Sequence, residues 1–350
     1  MGNLQTTAAK LSSCLTNGQL NREMLAETVK NGQLTRDNLI QLLQLDDFTP
    51  VYELADEVRR KTVGDEVHIR AIIEFSNICA RQCKYCGLNC NHEGIDYYQM
   101  TADEILSTAE QAIKAGYKTI VLQSGENPKL NKRWMGHIVK SIVSMGAVVT
   151  LSIGELSRDA LEFYRKCGAG RYLLKHETAD PDIYEELHPC GTLPQRVECL
   201  RNIHDLGYET GSGFMVGLPG QTLETIADDL LLLKELNCRM AGIGPFIPHP
   251  DTPLRDAEAG SPELTKRAVA LTRLLIPDAN LPVTTALGVV NQGDRENAFA
   301  CGANVVMKKV TPDEYKEAYE IYPAELGKTD IEKDRKLLEE QIRALGRIPV

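Results

Sequence analysis

Cys79, Cys83, Cys86 and Cys90 fall within twelve positions of one another, in the stretch "CARQCKYCGLNC" that follows the apolar run "VHIRAIIEF". Thiols crowded this closely serve a disulfide scaffold, a zinc site or an iron–sulfur cluster. Ten Cys in 350 residues is too sparse for a disulfide framework. Six of them, Cys14, Cys167, Cys190, Cys199, Cys238 and Cys301, stand singly and read as small buried hydrophobes. Close thiols in a cytosolic chain, the location expected here, more often hold metal than form disulfides. Spacing then separates the metals. Cys79-x3-Cys83-x2-Cys86 puts three thiolates on one tight loop. Three thiolates clasp three irons of a cubane and leave the fourth iron open for chemistry. Zinc on all four thiolates is the rival, but such sites usually pair two C-x2-C knuckles across a longer loop. Cys90 is expected to be a bystander, because a fourth thiolate would block the open iron. A zinc-bound, non-enzymatic scaffold or metal carrier is the reading of another class, and it predicts a colourless protein.

A loop of this kind needs rigid elements behind it. Short β-branched runs alternate with longer helical ones after Gly64. The runs span 67–75, 118–124, 147–153, 171–177, 208–217, 240–246, 281–288 and 303–309. Helical stretches such as "TADEILSTAEQAIKAG" lie between them, with Thr101 and Glu104 forming a capping box and a glycine at the end. Eight βα units over about 250 residues have the size of a (β/α)8 TIM barrel; a doubly wound open sheet is the structural alternative. The cysteine loop follows strand 1 directly, on the face where barrels place their chemistry. Residues 1–65 read as an N-terminal helical extension, 66–325 as the barrel and 326–350 as a C-terminal helical segment. In the extension, "NGQLNREMLAETVK" and "NGQLTRDNLIQLLQL" resemble each other, each an Asn-Gly turn followed by a Leu-rich helix.

Bulk properties set outer bounds. A net charge of −10 argues against a nucleic-acid partner. No run approaches the roughly 18 apolar residues of a membrane span. A cytoplasmic location is expected.

The cysteine motif, with the aromatic Tyr85 before its last member, resembles the signature of radical SAM enzymes. The resemblance extends through "TIVLQSGENP", "RYLLKHETADP", "GYETGSGFMVGLPGQT", "GIGPFIPHPDTPL" and "GANVVMKKVTPDEYKEAYEIYP" to the HydE family of FeFe-hydrogenase maturases, from about residue 50 to 325. It implies a radical SAM (β/α)8 barrel with one 4Fe-4S cluster on Cys79, Cys83 and Cys86, with S-adenosylmethionine on the open iron. It further implies reductive cleavage to a 5′-deoxyadenosyl radical. The implied substrate is a small organometallic compound, a mononuclear iron complex carrying cysteinate, CO and cyanide. Other hydrogenase maturases and an electron donor are the implied partners. A methylornithine-synthase-like or biotin-synthase-like enzyme is the alternative within the same superfamily.

Site residues follow residue by residue. "QSGE", Gln123, Ser124, Gly125 and Glu126, stands where related enzymes bind the methionine amine; read alone it is a strand-end turn. By resemblance Glu177 binds the ribose hydroxyls, Arg196 the carboxylate, and Met215 the adenine; Tyr85 joins this cofactor set. Read alone, Glu177 pairs with Lys175 or His176, Arg196 is a solvated helix residue and Met215 a core residue. Thr150, Ser152, Arg171, Lys175, Thr284 and Thr285 on strands 3, 4 and 7 would suit a small anionic substrate if they point inward. The family pattern has Arg at position 175; Lys keeps the charge and loses the planar fork. Tyr319 and Tyr322, spaced i, i+3, are expected to share a helical face and, by resemblance, to cover cofactor and substrate. Some members carry a second cluster near the C-terminus. The stretch from Ala324 onward has no Cys, so a single cluster is expected.

Overall fold

The structure, a computed structural model, describes residues 15–16, 19–284, 286, 298–324 and 327–350. Three helices come first: α1 (Arg22–Lys30), α2 (Arg36–Leu43) and α3 (Thr49–Thr62). Asn21 caps α1 and Thr35 forms a capping box on α2, each side chain satisfying backbone N–H groups the helix cannot. Gly32, at φ 63°, supplies the left-handed residue that turns α1 into α2.

Eight parallel strands follow: β1 (Glu66–Ser76), β2 (Thr119–Ser124), β3 (Val148–Ser152), β4 (Arg171–Leu173), β5 (Glu209–Ser212), β6 (Met240–Ala241), β7 (Pro282–Val283) and β8 (Val305–Lys309). They pair in the order β7-β8-β1-β2-β3-β4-β5-β6. The ring closes at Asn280, whose carbonyl accepts from the Ala241 N–H at 3.1 Å and whose N–H donates to the Arg239 carbonyl at 2.8 Å. Helices α4 (Ala102–Lys114), α5 (Lys132–Ser144), α6 (Arg158–Lys166), α7 (Pro181–Leu187), α8 (Leu193–Asp205), α9 (Leu223–Glu235) and α10 (Pro262–Leu275) wrap it. The capping box on α4 forms as its sequence requires, with Glu104 N–H donating to Thr101 Oγ1 at 3.3 Å and Thr101 N–H to Glu104 Oε2 at 2.7 Å. Helix α2 packs on α9 and α3 on α10. After α11 (Ile331–Ala344), residues Ile348–Pro349 pair with the start of β1.

Period-two alternation splits each strand between two environments. On β1, Val67, Ile69, Ala71, Ile73 and Phe75 join the main hydrophobic core beneath the helices. The alternate set, His68, Arg70, Ile72 and Glu74, turns into the barrel. TIM-barrel interiors are ordinarily filled by branched apolar side chains. Here charged side chains, Arg70 and Glu74 among them, stand inside, and a cavity of mixed polar and apolar lining opens among the strands.

Three strands depart from expectation. β4 stops at Leu173 because the chain turns sharply at Glu177. The fifth run breaks at Gly213, where a Cβ would lie 2.1 Å from the Gly242 carbonyl oxygen. Beyond the break, Met215–Val216 pairs with Gly244–Pro245 instead of with the barrel ladder. β7 is two residues long, and Thr285 lies outside the described residues. Tyr319 and Tyr322 do not share a helix: the short helix Asp313–Lys316 ends before them. Pro323 pushes Tyr322 towards extended backbone.

Candidate active site at the barrel mouth

Cys79, Cys83 and Cys86 lie on the loop leaving β1. Backbone bonds pin this loop from several sides. Ala80 N–H donates to the Glu126 carbonyl at 2.9 Å, Lys84 N–H to Leu187 at 3.0 Å, and Gly87 N–H to Ile321 at 3.0 Å. Asn77 Nδ2 ties it to the carbonyls of Asp96 and Ala318 at 2.8 and 2.7 Å. Gly125 sits directly beneath: a Cβ there would lie 2.5 Å from the Ile78 carbonyl oxygen and 2.7 Å from Cys79 Cβ. Only glycine lets the end of β2 approach this closely. Cys90 is exposed and folds back on its own loop, its N–H on the Arg81 carbonyl at 2.9 Å.

Among the described residues, no three His, Cys, Asp or Glu side chains gather closely enough for a single metal. Burial pushes all three thiols up, Cys86 to about 12. Thiolates in this setting need a cationic partner, and binding releases their protons. Cys83 and Cys86, both half-buried, pack beside Tyr85, Leu187, Leu218 and Phe246, an apolar wall on one side of the two residues.

A charge-balanced quartet buttresses the loop. Arg81, between the first two cysteines, meets Glu126 at 2.8 Å and Glu155 at 3.1 Å. Arg196, on α8, meets Glu126 at 3.0 Å and Glu155 at 2.8 Å. Burial pushes the Glu126 carboxyl up, but Arg196 and Arg81 outweigh it and hold it below its ordinary 4.5. A second chain of contacts runs from Tyr85. Its hydroxyl lies 2.7 Å from His188 Nε2, while His188 Nδ1 meets the Tyr184 carbonyl at 3.0 Å. The carbonyl fixes the proton on Nδ1, so Nε2 accepts from Tyr85. Arg196 Nε reaches the Tyr184 hydroxyl at 3.0 Å, joining the two systems.

Beside the loop a cavity of about 330 Å³ opens among the strand C-termini. It gathers Cys83, Tyr85, Gln123, Ser124, Glu126, Ser152, Lys175, Glu177, Arg196, Met215, Thr284 and Tyr322 from distant parts of the chain. Lys175 Nζ stands 3.1 Å from Glu177 Oε2, so the ion pair expected of an ordinary surface forms inside the cavity. Tyr319 is buried behind this wall and hydrogen-bonds to Gln123.

Two expected substrate contacts lie elsewhere. Arg171 sits on the barrel floor, paired with Glu209 at 2.7 Å and donating to Thr119 Oγ1 at 3.1 Å. Alternation turns it inward, but the register sets it beside the first residue of β5, a layer below the cavity. Thr150 shares its register line with Arg171, and its buried hydroxyl has no hydrogen-bond partner. Glu126 lines the cavity, but with its carboxylate already taken by two arginines and the Glu155 N–H.

Other residues carried no local signal. Arg70 is 2% exposed with its Nε unpartnered and Nη1 2.9 Å from Met240 Sδ across the barrel. Burial lowers its guanidinium to about 10. Inward alternation on β1 was the one available clue. Glu155, Arg81 and His188 acquire their positions only through contacts distant in sequence.

A model of the Radical SAM superfamily matches residues 73–233. The [FeFe] hydrogenase maturase subunit HydE of Thermotoga maritima is 50% identical over 302 residues, 85% of this chain and 86% of that protein. The crystal structure of methylornithine synthase (PylB) aligns with a TM-score of 0.83 and 26% identity, over 93% of this chain and 97% of that one. The X-ray structure of the FeFe-hydrogenase maturase HydG from Carboxydothermus hydrogenoformans aligns with a TM-score of 0.81, over 99% of this chain and 82% of that one. At 20% identity the latter shares the fold alone. Members of the superfamily bind a 4Fe-4S cluster and S-adenosylmethionine, and the three thiols beside an open cavity fit that pair. The chain belongs to the HydE family of radical SAM enzymes.

Proposed function

We propose that the protein is a HydE-type maturase for FeFe-hydrogenase whose substrate is a small mononuclear iron complex with cysteinate, CO and cyanide ligands. The observation that carries this reading is the 50% identity to HydE over 86% of that protein, with the quoted motifs meeting at one cavity. Cys79, Cys83 and Cys86 would hold the cluster, with Cys83 on the cavity side. When bound, cluster and S-adenosylmethionine supply reductive cleavage to a 5′-deoxyadenosyl radical, which requires one electron from a donor protein.

The chain's own residues bind, orient and exclude water. The Gln123–Gly125 edge takes the methionine amine; the Glu126 carboxylate instead orients Arg196 and Arg81. Arg196, held between two carboxylates, presents its charge to the methionine carboxylate. Glu177 accepts from the ribose hydroxyls, and Met215 and Tyr85 border the adenosyl group. Lys175, Ser152, Thr284 and Tyr322 line the remaining space and suit an anionic substrate. Thr284 Oγ1 is buried without a hydrogen-bond partner among the described residues, which supports a ligand contact there. Arg70 adds positive charge below, while the charge of Arg171 is balanced by Glu209.

The test is anaerobic reconstitution with iron and sulfide, followed by dithionite and S-adenosylmethionine. Formation of 5′-deoxyadenosine, and hydrogenase activation in an extract lacking its own HydE-type maturase, are the expected results. A fully loaded cluster without 5′-deoxyadenosine would overturn the reading. The likeness to methylornithine synthase favours an amino-acid mutase as second reading; formation of 3-methylornithine without hydrogenase activation would establish it.

A further inference from the structure

Among the described residues, two non-glycine positions have positive φ: Asn237 at 50° and Glu177 at 67°. Asn237 follows α9, where asparagine tolerates the left-handed region. Glu177 lacks that reason. Thr178 N–H reaches the His176 carbonyl at 2.9 Å, closing a three-residue turn around Glu177. With positive φ this is the rare, strained form of γ-turn. Strain of this kind persists only where the surroundings over-determine it.

The surroundings are a buried polar network outside the cavity. His176 is fully buried, with Nδ1 2.9 Å from Ser212 Oγ and Nε2 3.3 Å from Asp229 Oδ1. The His176 N–H also donates to Ser212 Oγ, at 3.1 Å. Nε2 faces the aspartate in a close contact that lacks the alignment of a hydrogen bond, and Nδ1 and the serine hydroxyl bond to each other. Asp229, on α9, also accepts from the Ala179 N–H and, at 3.3 Å, from Gln221 Nε2. Gln221 Nε2 donates to the Met215 carbonyl at 2.9 Å, and Gln221 Oε1 accepts from the Gly217 N–H at 2.6 Å. The turn itself is stitched to the same segment, Glu177 N–H to the Gly213 carbonyl at 3.0 Å and Met215 N–H to the Glu177 carbonyl at 3.1 Å. Glu177 and Met215, both facing the cavity, thus share one support. The support is needed because the fifth strand leaves the barrel ladder at Gly213.

Serine, histidine and aspartate in contact invite a nucleophilic reading. All three side chains are sealed from solvent, and none lines the cavity. We propose that His176 and Asp229, with Ser212 and Gln221, are positioning residues: they hold the Glu177 turn and Met215 where both side chains meet the adenosyl group. The proposal rests on the reading of Glu177 and Met215 as adenosyl contacts.

Titration of S-adenosylmethionine into the reconstituted protein, with iron and sulfide content measured in parallel, tests it. Asp229→Asn is expected to keep the full cluster and weaken binding by about tenfold. On a Glu177→Gln background the same change is expected to add a smaller penalty than on the parent, since the Glu177 share is already lost and only the Met215 share remains. Asp229→Asn within twofold of the parent, or with an undiminished penalty on that background, overturns the proposal. Should Asp229→Asn fail to fold, Ser212→Ala at full iron content decides by the same criteria. Loss in Glu177→Gln without loss in Asp229→Asn overturns the proposal alone; parent-like binding in Glu177→Gln overturns the ribose assignment and the proposal with it.

Discussion

The two walls of this barrel are built differently. β8, β1, β2 and β3 run 5, 11, 6 and 5 residues, their pairing broken only by a register shift between Glu74 and Ser76 where β1 meets β2. β5, β6 and β7 run 4, 2 and 2. The long wall carries the cysteine loop and Glu126, with Glu155 just beyond β3. The short wall is interrupted by Gly213, Gly242, Pro245 and Pro282. Proline cannot donate to a ladder, and glycine lets backbones cross without pairing. Gly242, Gly244, Pro245, Pro282, Val283 and Thr284, all from the short wall, line the cavity. One wall fixes the reactive group and the other leaves room for what reacts. Local opening is expected on the short wall, where fewer backbone groups are paired.

The strongest break is on the long wall. Cys83→Ala is expected to abolish cluster binding and 5′-deoxyadenosine formation together, with far-UV circular dichroism unchanged. Cys90→Ala is expected to leave both intact. Loss of the cluster in the Cys90 variant would overturn the ligand assignment.

Removing a charge from the quartet comes next. Arg196 is 6% exposed, and Arg196→Met leaves Glu126 and Glu155 short of a partner in a buried site. Breaking a buried pair from one side costs about 3–5 kcal/mol. Lys61→Met, which removes an exposed pair with Glu57, should cost less than about 0.5 kcal/mol. Urea unfolding of both variants reads the difference; equal costs would show that the quartet is not a buttress.

His188 stands between the walls and gives a pH signature. Burial holds its imidazole at about 4, below the ordinary 6.5, despite Glu177 nearby. The folded state therefore resists the proton that the unfolded chain takes up. The contribution is fully present above pH 6.5 and is lost as pH falls towards 4. Between about pH 6.5 and 5.5 the parent should lose roughly 1 kcal/mol from this group. His188→Gln should remove that slope in urea midpoints. An unchanged slope would assign the acid sensitivity to other groups.

The walls also differ in how much the sequence reveals. Periodicity places all eight strands near their observed positions, because each half-buried strand must alternate or run apolar to be buried at all. It overextends β4, where a strained turn at Glu177 ends the pairing; of the run 281–288, Pro282 and Val283 pair with β8. Glycines 213 and 242 are visible in the sequence, but their crossing is not, because it depends on two segments meeting. Alternation points Arg171 inward without saying at which layer; only the register with Glu209 puts it on the floor. The site set came mostly from resemblance. The supports of that set, Arg81 with Glu155, His188 with Tyr85 and Asp229 with His176, join residues whose separation leaves no periodic trace.

Two glycines test the walls directly. An added Cβ at position 125 would meet the Ile78 carbonyl oxygen and Cys79 Cβ, atoms anchored by the loop's own hydrogen bonds. Gly125→Ala should therefore cost about 1–3 kcal/mol and lower cluster occupancy. At position 244 the nearest atom is Thr284 Oγ1, at 2.9 Å. That hydroxyl has no hydrogen-bond partner to lose, and the short wall can yield around it. Gly244→Ala should cost less than about 1 kcal/mol, with full cluster loading. Its effect should fall on substrate access instead, since Gly244 and Thr284 both border the cavity. Parallel measurement of melting temperature and iron content separates the cases. If Gly244→Ala destabilises the protein as much as Gly125→Ala, the short wall is as rigid as the long one.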